Sequence, residues 1–173
     1  MKKVFVLIIL TALLITGVSI TVLSQKTPEK PVYVAQNENI PLNADTLFNL
    51  VNAEREKVGL KPLIRDARLD QSAQFKADDM VARNYFSHYD PTDEKTMNGV
   101  QKGYELTNHN TCEYVSENAA TNLTKTPNKD NEDTIASWMN SEAHRNAILD
   151  SQYDITGVAI SGDKIVQHFC NLK

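Results

Sequence analysis

Four histidines, His88, His109, His144 and His168, are the side chains in this sequence best suited to proton transfer or metal ligation. Imidazole titrates near neutrality, and its neutral form is a common ligand for divalent ions. Two of the four sit in phrases dense in polar groups, Tyr85-Phe86-Ser87-His88 and Trp138-Met139-Asn140-Ser141-Glu142-Ala143-His144-Arg145. Between the two phrases stands Ser116-Glu117-Asn118-Ala119. A carboxylate such as Glu117 can ligate an ion, act as a general base or orient an imidazole from behind; it can also simply tie down a loop. His88 and His144 are 56 residues apart (144 − 88), so spacing alone does not bring them together. Ser87 and Ser141 lie near these histidines, but no Gly-x-Ser-x-Gly elbow surrounds any serine. No His-Glu-x-x-His helix is present either.

The elements that must position these groups read as helices followed by strands. Leu47, Leu50, Val51 and Val58 share a face of a helix expected from Ala44 to Val58, capped by Asn43 or Asp45 and stopped by Gly59. After the loop Leu60-Lys61-Pro62-Leu63, a second helix is expected from Asp66 to Arg83, with Leu69, Ala73, Ala77 and Met80 as its buried stripe. Residues 92–105 are expected to hold one short helix ended by Gly103, and residues 113–120 a strand followed by irregular chain. Thr121 to Asp130 reads as a polar loop. A helix from Asn131 to Met139 precedes a shorter one, capped by Ser141, through Leu149. The chain closes in a hairpin, Ile155 to Ser161 and Lys164 to Asn171, turning at Gly162-Asp163. This order argues for an α+β fold rather than a doubly wound sheet. Trp138, Tyr85 and Phe86 are expected to pack in the core, and Arg145 to pair with a surface carboxylate.

The N-terminus differs from all that follows. Behind Lys2 and Lys3, residues Val4 to Ser24 form an uncharged run about as long as the ~20 residues that cross a bilayer. Residues 1–24 therefore read as a signal-anchor or as a cleaved signal peptide, and either exports the rest. Residues 25–42, with Pro28, Pro31 and Pro41, read as a linker, and residues 43–173 as the domain. Cys112 and Cys170 fit export, where disulfides persist; the competing reading is two buried thiols. The net charge of −4 offers no basic footprint for nucleic acid.

Taken as a set, Leu60-Lys61-Pro62-Leu63, Ala77-Asp78-Asp79-Met80, Asn84 to His88, Glu117-Asn118-Ala119-Ala120, Trp138 to Leu149 and Gly157-Val158-Ala159 resemble the CAP superfamily. These are the cysteine-rich secretory, antigen 5 and pathogenesis-related proteins, or SCP-like domains, here of the compact bacterial type. The resemblance runs from Leu47 to Cys170. It implies a three-layer α-β-α sandwich with a small antiparallel sheet and an open cleft. It further implies that His88, His144 and Glu117 face that cleft and hold a divalent metal, most plausibly Zn2+, or are the catalytic group if the domain is an enzyme. Members with a full tetrad carry a Glu three positions after the tryptophan. Ser141 stands there in this chain, and Glu142 lies one residue on, about 100° further round a helix. Glu142 is thus the weaker candidate ligand. The readings in contention are an extracytoplasmic binding module for a metal, lipid, peptide or cell-envelope ligand and a metal-dependent, peptidase-like hydrolase. A monomer is expected.

Overall fold

The computed structural model describes residues 42–121 and 131–173. The signal or anchor expected over residues 1–24, residues 25–41 of the expected linker and all but Thr121 of the polar loop ending at Asp130 lie outside the described residues. Among the described residues no helix is long and apolar enough to cross a membrane.

The chain order is α1 (Ala44–Lys57), β1 (Ile64–Arg65), α2 (Ala67–Ala82), α3 (Asn98–Leu106), β2 (Cys112–Thr121), α4 (Asn131–Asn140), α5 (Glu142–Ile148), β3 (Ile155–Ser161) and β4 (Lys164–Leu172). The four strands form one sheet in the order β1-β3-β4-β2. The sheet is mixed rather than purely antiparallel, because the two residues of β1 pair parallel to β3, while β3–β4 and β4–β2 are antiparallel. The α+β sandwich expected from the sequence is what forms.

Alternation along the strands builds the layers. Val158, Ile165 and Phe169 face one side and pack with Leu47 and Val51 of α1, Ile135 and Trp138 of α4 and Ile148 of α5. Ile155, Val115 and Cys170 face the other side with Leu69 of α2. Ala159 and Val166 extend that second layer against Ala73, Ala77 and Met80. The small side chains on α2 permit close approach. A Cβ on Gly157 would lie 2.1 Å from the α2 backbone at Leu69 and Asp70. Asp70 Oδ1 accepts the Val158 N–H at 2.8 Å, which closes the strand edge that the short β1 leaves open. Asn43 caps α1, accepting from the N–H groups of Asp45 and Thr46, and Asp66 caps α2 through the Arg68 N–H. The Cys112–Cys170 disulfide forms, with a Cα–Cα distance of 5.5 Å.

Several local expectations are corrected. Val58 is 58% exposed, because α1 ends at Lys57 and the chain leaves the face that Leu47 and Val51 bury. Gly103 does not end α3 but lies inside it, where its missing side chain admits Val115 of β2. The segment after Val115 is regular, since β2 pairs along β4 as far as Thr121. Phe86 is exposed, lying beside Lys164. Arg145 donates to the Met139 backbone carbonyl at 2.9 Å rather than to a carboxylate. Ser141 occupies the N-cap of α5 without a side-chain capping bond.

Candidate functional site

Glu117 and Asn118 are neighbours on β2 and so point to opposite faces of the sheet. Glu117 turns toward the α2–α3 layer; Asn118 turns toward α5 and donates to the His144 carbonyl at 3.1 Å. One strand therefore anchors both histidine-bearing segments, one from each helical layer.

His88 reaches the site by a reversal of the chain after α2. Asn84 adopts a left-handed conformation (φ 52°), and the Tyr85 N–H returns to the Met80 carbonyl at 3.0 Å. Lys76, fully buried on α2, fixes the returning segment. Its ammonium donates to the His88 carbonyl (3.1 Å), the Tyr85 hydroxyl (3.2 Å) and Asn98 Oδ1 (2.7 Å). Burial lowers the Lys76 pKa, opposed by the negative charge of Glu117.

The centre is the Glu117 carboxylate, whose side chain has no exposed surface. His88 Nδ1 lies 2.7 Å from Oε1, and His168 Nε2 lies 2.8 Å from Oε2. Burial alone would raise this carboxyl. The hydrogen bonds from His168 and His88, aided by the charges of His168 and Lys76, overcome that and hold its pKa at about 2. The group is therefore ionised and can only accept, so both ring nitrogens facing it carry protons. Behind His168, its Nδ1 meets Ser72 Oγ of α2 at 2.7 Å. The first turn of α3 leaves room for the carboxylate only because residue 99 is glycine; a Cβ there would stand 2.3 Å from Oε2.

His144 lies on α5 with its ring 6.5 Å from that of Trp138. Its pKa is lowered by burial and by the nearby charge of His88. The structure thus joins His88 to Glu117 directly and sets His144 within the electrostatic reach of His88. It does not bring in Glu142, which opens α5 exposed to solvent and makes no hydrogen bond with the other three. Among the described residues no group of three or more His, Cys, Asp or Glu side chains is gathered as a ready ligand set. Sequence reasoning named His168 among the histidines but gave it no role in the site, and it did not single out Ser72 or Lys76. The available signal was a titratable residue inside the apolar run Ile165 to Cys170, which must find a buried partner.

The description "Cysteine-rich secretory protein family" (CAP) matches residues 48–170. The chain belongs to this family. Its CAP domain is similar to the Bacillus subtilis protein YkwD, with 33% identity over 155 residues, covering 84% of this chain and 56% of that protein. A solved extracellular SCP-domain protein from Bacillus anthracis is 28% identical, with a TM-score of 0.63, covering 84% of this chain and 45% of that one. A Staphylococcus aureus cysteine-rich secretory protein, 24% identical with a TM-score of 0.60, shares the fold over 74% of this chain and 38% of its own. The chain thus spans little more than half of YkwD and less than half of these two solved proteins.

Proposed function

We propose that this CAP domain works outside the cytoplasm as a binding module whose cleft takes a divalent cation, zinc foremost, between His88 and His144. The observation that carries the reading is the Glu117–His88 bond. With Nδ1 engaged at 2.7 Å, the nitrogen left to meet a ligand is Nε2, on a side chain 38% exposed. A carboxylate behind an imidazole fixes its tautomer and raises its basicity, as in carboxylate–histidine–metal arrangements. The lowered pKa of His144 keeps that ring neutral, the form that ligates. The donor set therefore fits a weakly held ion, with two imidazoles and room for outer ligands, rather than a closed four-ligand structural site. A bound ion would supply Lewis acidity, polarising a carbonyl or phosphoryl oxygen of an envelope ligand. Export is supported by the uncharged run behind Lys2 and Lys3 and by the extracellular SCP-domain protein of Bacillus anthracis.

The hydrolase reading needs a base poised near the working pH. Glu117, bonded through both oxygens and held at about 2, is far from that, and Glu142 stands apart. This favours binding over catalysis.

Calorimetric titration of the full chain in detergent with zinc tests the proposal. Modest affinity is expected at pH 7.5, weakening below about pH 6.5 as imidazole protonates. The lowered pKa of His144 places its share of that loss further down the scale. Undiminished binding in the His88→Ala, His144→Ala double variant, or equal affinity at pH 7.5 and 5.5, would contradict it.

A further inference from the structure

We propose that His168 is a positioning residue for the cleft: by holding Oε2 of Glu117 it aims Oε1 at His88 and so presents His88 Nε2 to the ligand. The inference rests on the reading of the cleft given above and extends it to a side chain that never touches a ligand.

Three observations carry it. His168 and Glu117 are direct partners in the β2–β4 register, so the same sheet face brings both side chains together. His168 and Ser72 have no exposed surface, so neither meets solvent or a ligand itself. The carboxylate has two oxygens and two imidazole partners, one on each, at 2.7 and 2.8 Å.

The geometry leaves little slack. The α3 backbone at Gly99 presses on the Oε2 side, where any Cβ would stand 2.3 Å from the oxygen. His168 is held in turn through Nδ1 by Ser72 Oγ, and that hydroxyl also reaches the Leu69 carbonyl at 3.0 Å. A hydroxyl can donate or accept, so Ser72 satisfies Nδ1 whether or not that nitrogen also carries a proton. The order of dependence runs from Ser72 through His168 and Glu117 to His88. Without the His168 N–H, Oε2 would lose its partner inside the fold. The carboxylate would then be free to rotate, Oε1 would no longer be held against His88 Nδ1, and His88 would lose its fixed tautomer.

The test is nitrogen-15 NMR of the histidine rings in the metal-free full chain at pH 8, where the readout is independent of any ion. In the wild type, His88 should show a protonated Nδ1 and a bare Nε2, and His168 a protonated Nε2. His168→Phe should convert His88 to a mixture of tautomers. His168→Gln, whose amide can still donate toward Oε2, should restore the wild-type pattern. If the Phe variant does not fold, His168→Asn, too short to reach the carboxylate, takes its place with the same expected mixture. Zinc affinity should fall 10–100-fold in the Phe or Asn variant, the usual effect of removing an outer-shell partner, and recover in Gln. A bare Nε2 on wild-type His168, or a His88 signal unchanged in a folded Phe or Asn variant, would overturn the proposal. Absence of zinc binding in the wild type would instead sink the metal reading and leave the tautomer result standing.

Discussion

Replacing Glu117 by Gln keeps the shape of the side chain and removes its charge. The amide retains one acceptor oxygen but turns an NH2 toward an imidazole N–H, so one of the two bonds at 2.7 and 2.8 Å is lost. A hydrogen bond to a charged group contributes about 1.5–3 kcal/mol. The titration gives a second route to the magnitude. The carboxyl falls from its ordinary value of 4.5 to about 2 in the fold, which corresponds to about 3 kcal/mol at neutral pH. The sign is that of a depressed acid: the stabilisation is fully present above 4.5 and is lost as pH falls toward 2. Urea denaturation followed by the single tryptophan, Trp138, reads this directly. Glu117→Gln should lose about 3 kcal/mol at pH 7, or roughly 10 °C in Tm for a domain of this size. Its stability should also fall less than that of the wild type between pH 4.5 and 2. A variant within about 0.5 kcal/mol of wild type at pH 7, with a parallel acid profile, would refute the reasoning, because that is the effect of an ordinary surface substitution.

Gly99→Ala should force the Glu117 carboxylate or Lys76 to shift, since the new Cβ would stand 2.3 Å from Oε2 and 2.9 Å from Lys76 Cβ. Overpacking of this kind costs about 1–3 kcal/mol, and an unchanged melting curve would show that the site has more room than described. Removing the disulfide by Cys112→Ala with Cys170→Ala frees a loop of 58 residues and should cost about 4 kcal/mol in urea at pH 7. A loss under about 1 kcal/mol would mean that the β2–β4 pairing alone constrains that loop.

Much of the fold was legible because its signals are local. The α2 stripe Leu69, Ala73, Ala77 and Met80 repeats at helical spacing, and all four side chains are fully buried. The β3–β4 hairpin announces itself by alternation around Gly162-Asp163. β1 was missed because two residues carry no period, and it exists only through its partner β3. The second half of β2 was missed because Asn118-Ala119-Ala120 has weak strand propensity, which pairing with Ile165 to Gln167 overrides. The pairing of His88 with His144 as candidates rested on family resemblance alone, because 56 residues separate them. The role of His168 was not legible, because its meaning lies in a register that links it to Glu117 across 51 residues. Glu142, the weaker candidate ligand, begins α5 exposed to solvent and shares no hydrogen bond with Glu117 or the two histidines.

The most direct test of the cleft as a divalent-metal site is a crystal structure of the zinc-soaked protein with anomalous data at the zinc edge. The account predicts one strong peak bonded to a ring nitrogen of both His88 and His144, with Glu117 still holding His88 Nδ1 and His168 Nε2. A peak elsewhere, a Glu117 carboxylate that has swung round to ligate the ion, or two imidazoles more than about 8 Å apart, given Zn–N bonds of only about 2.0–2.1 Å, would contradict it.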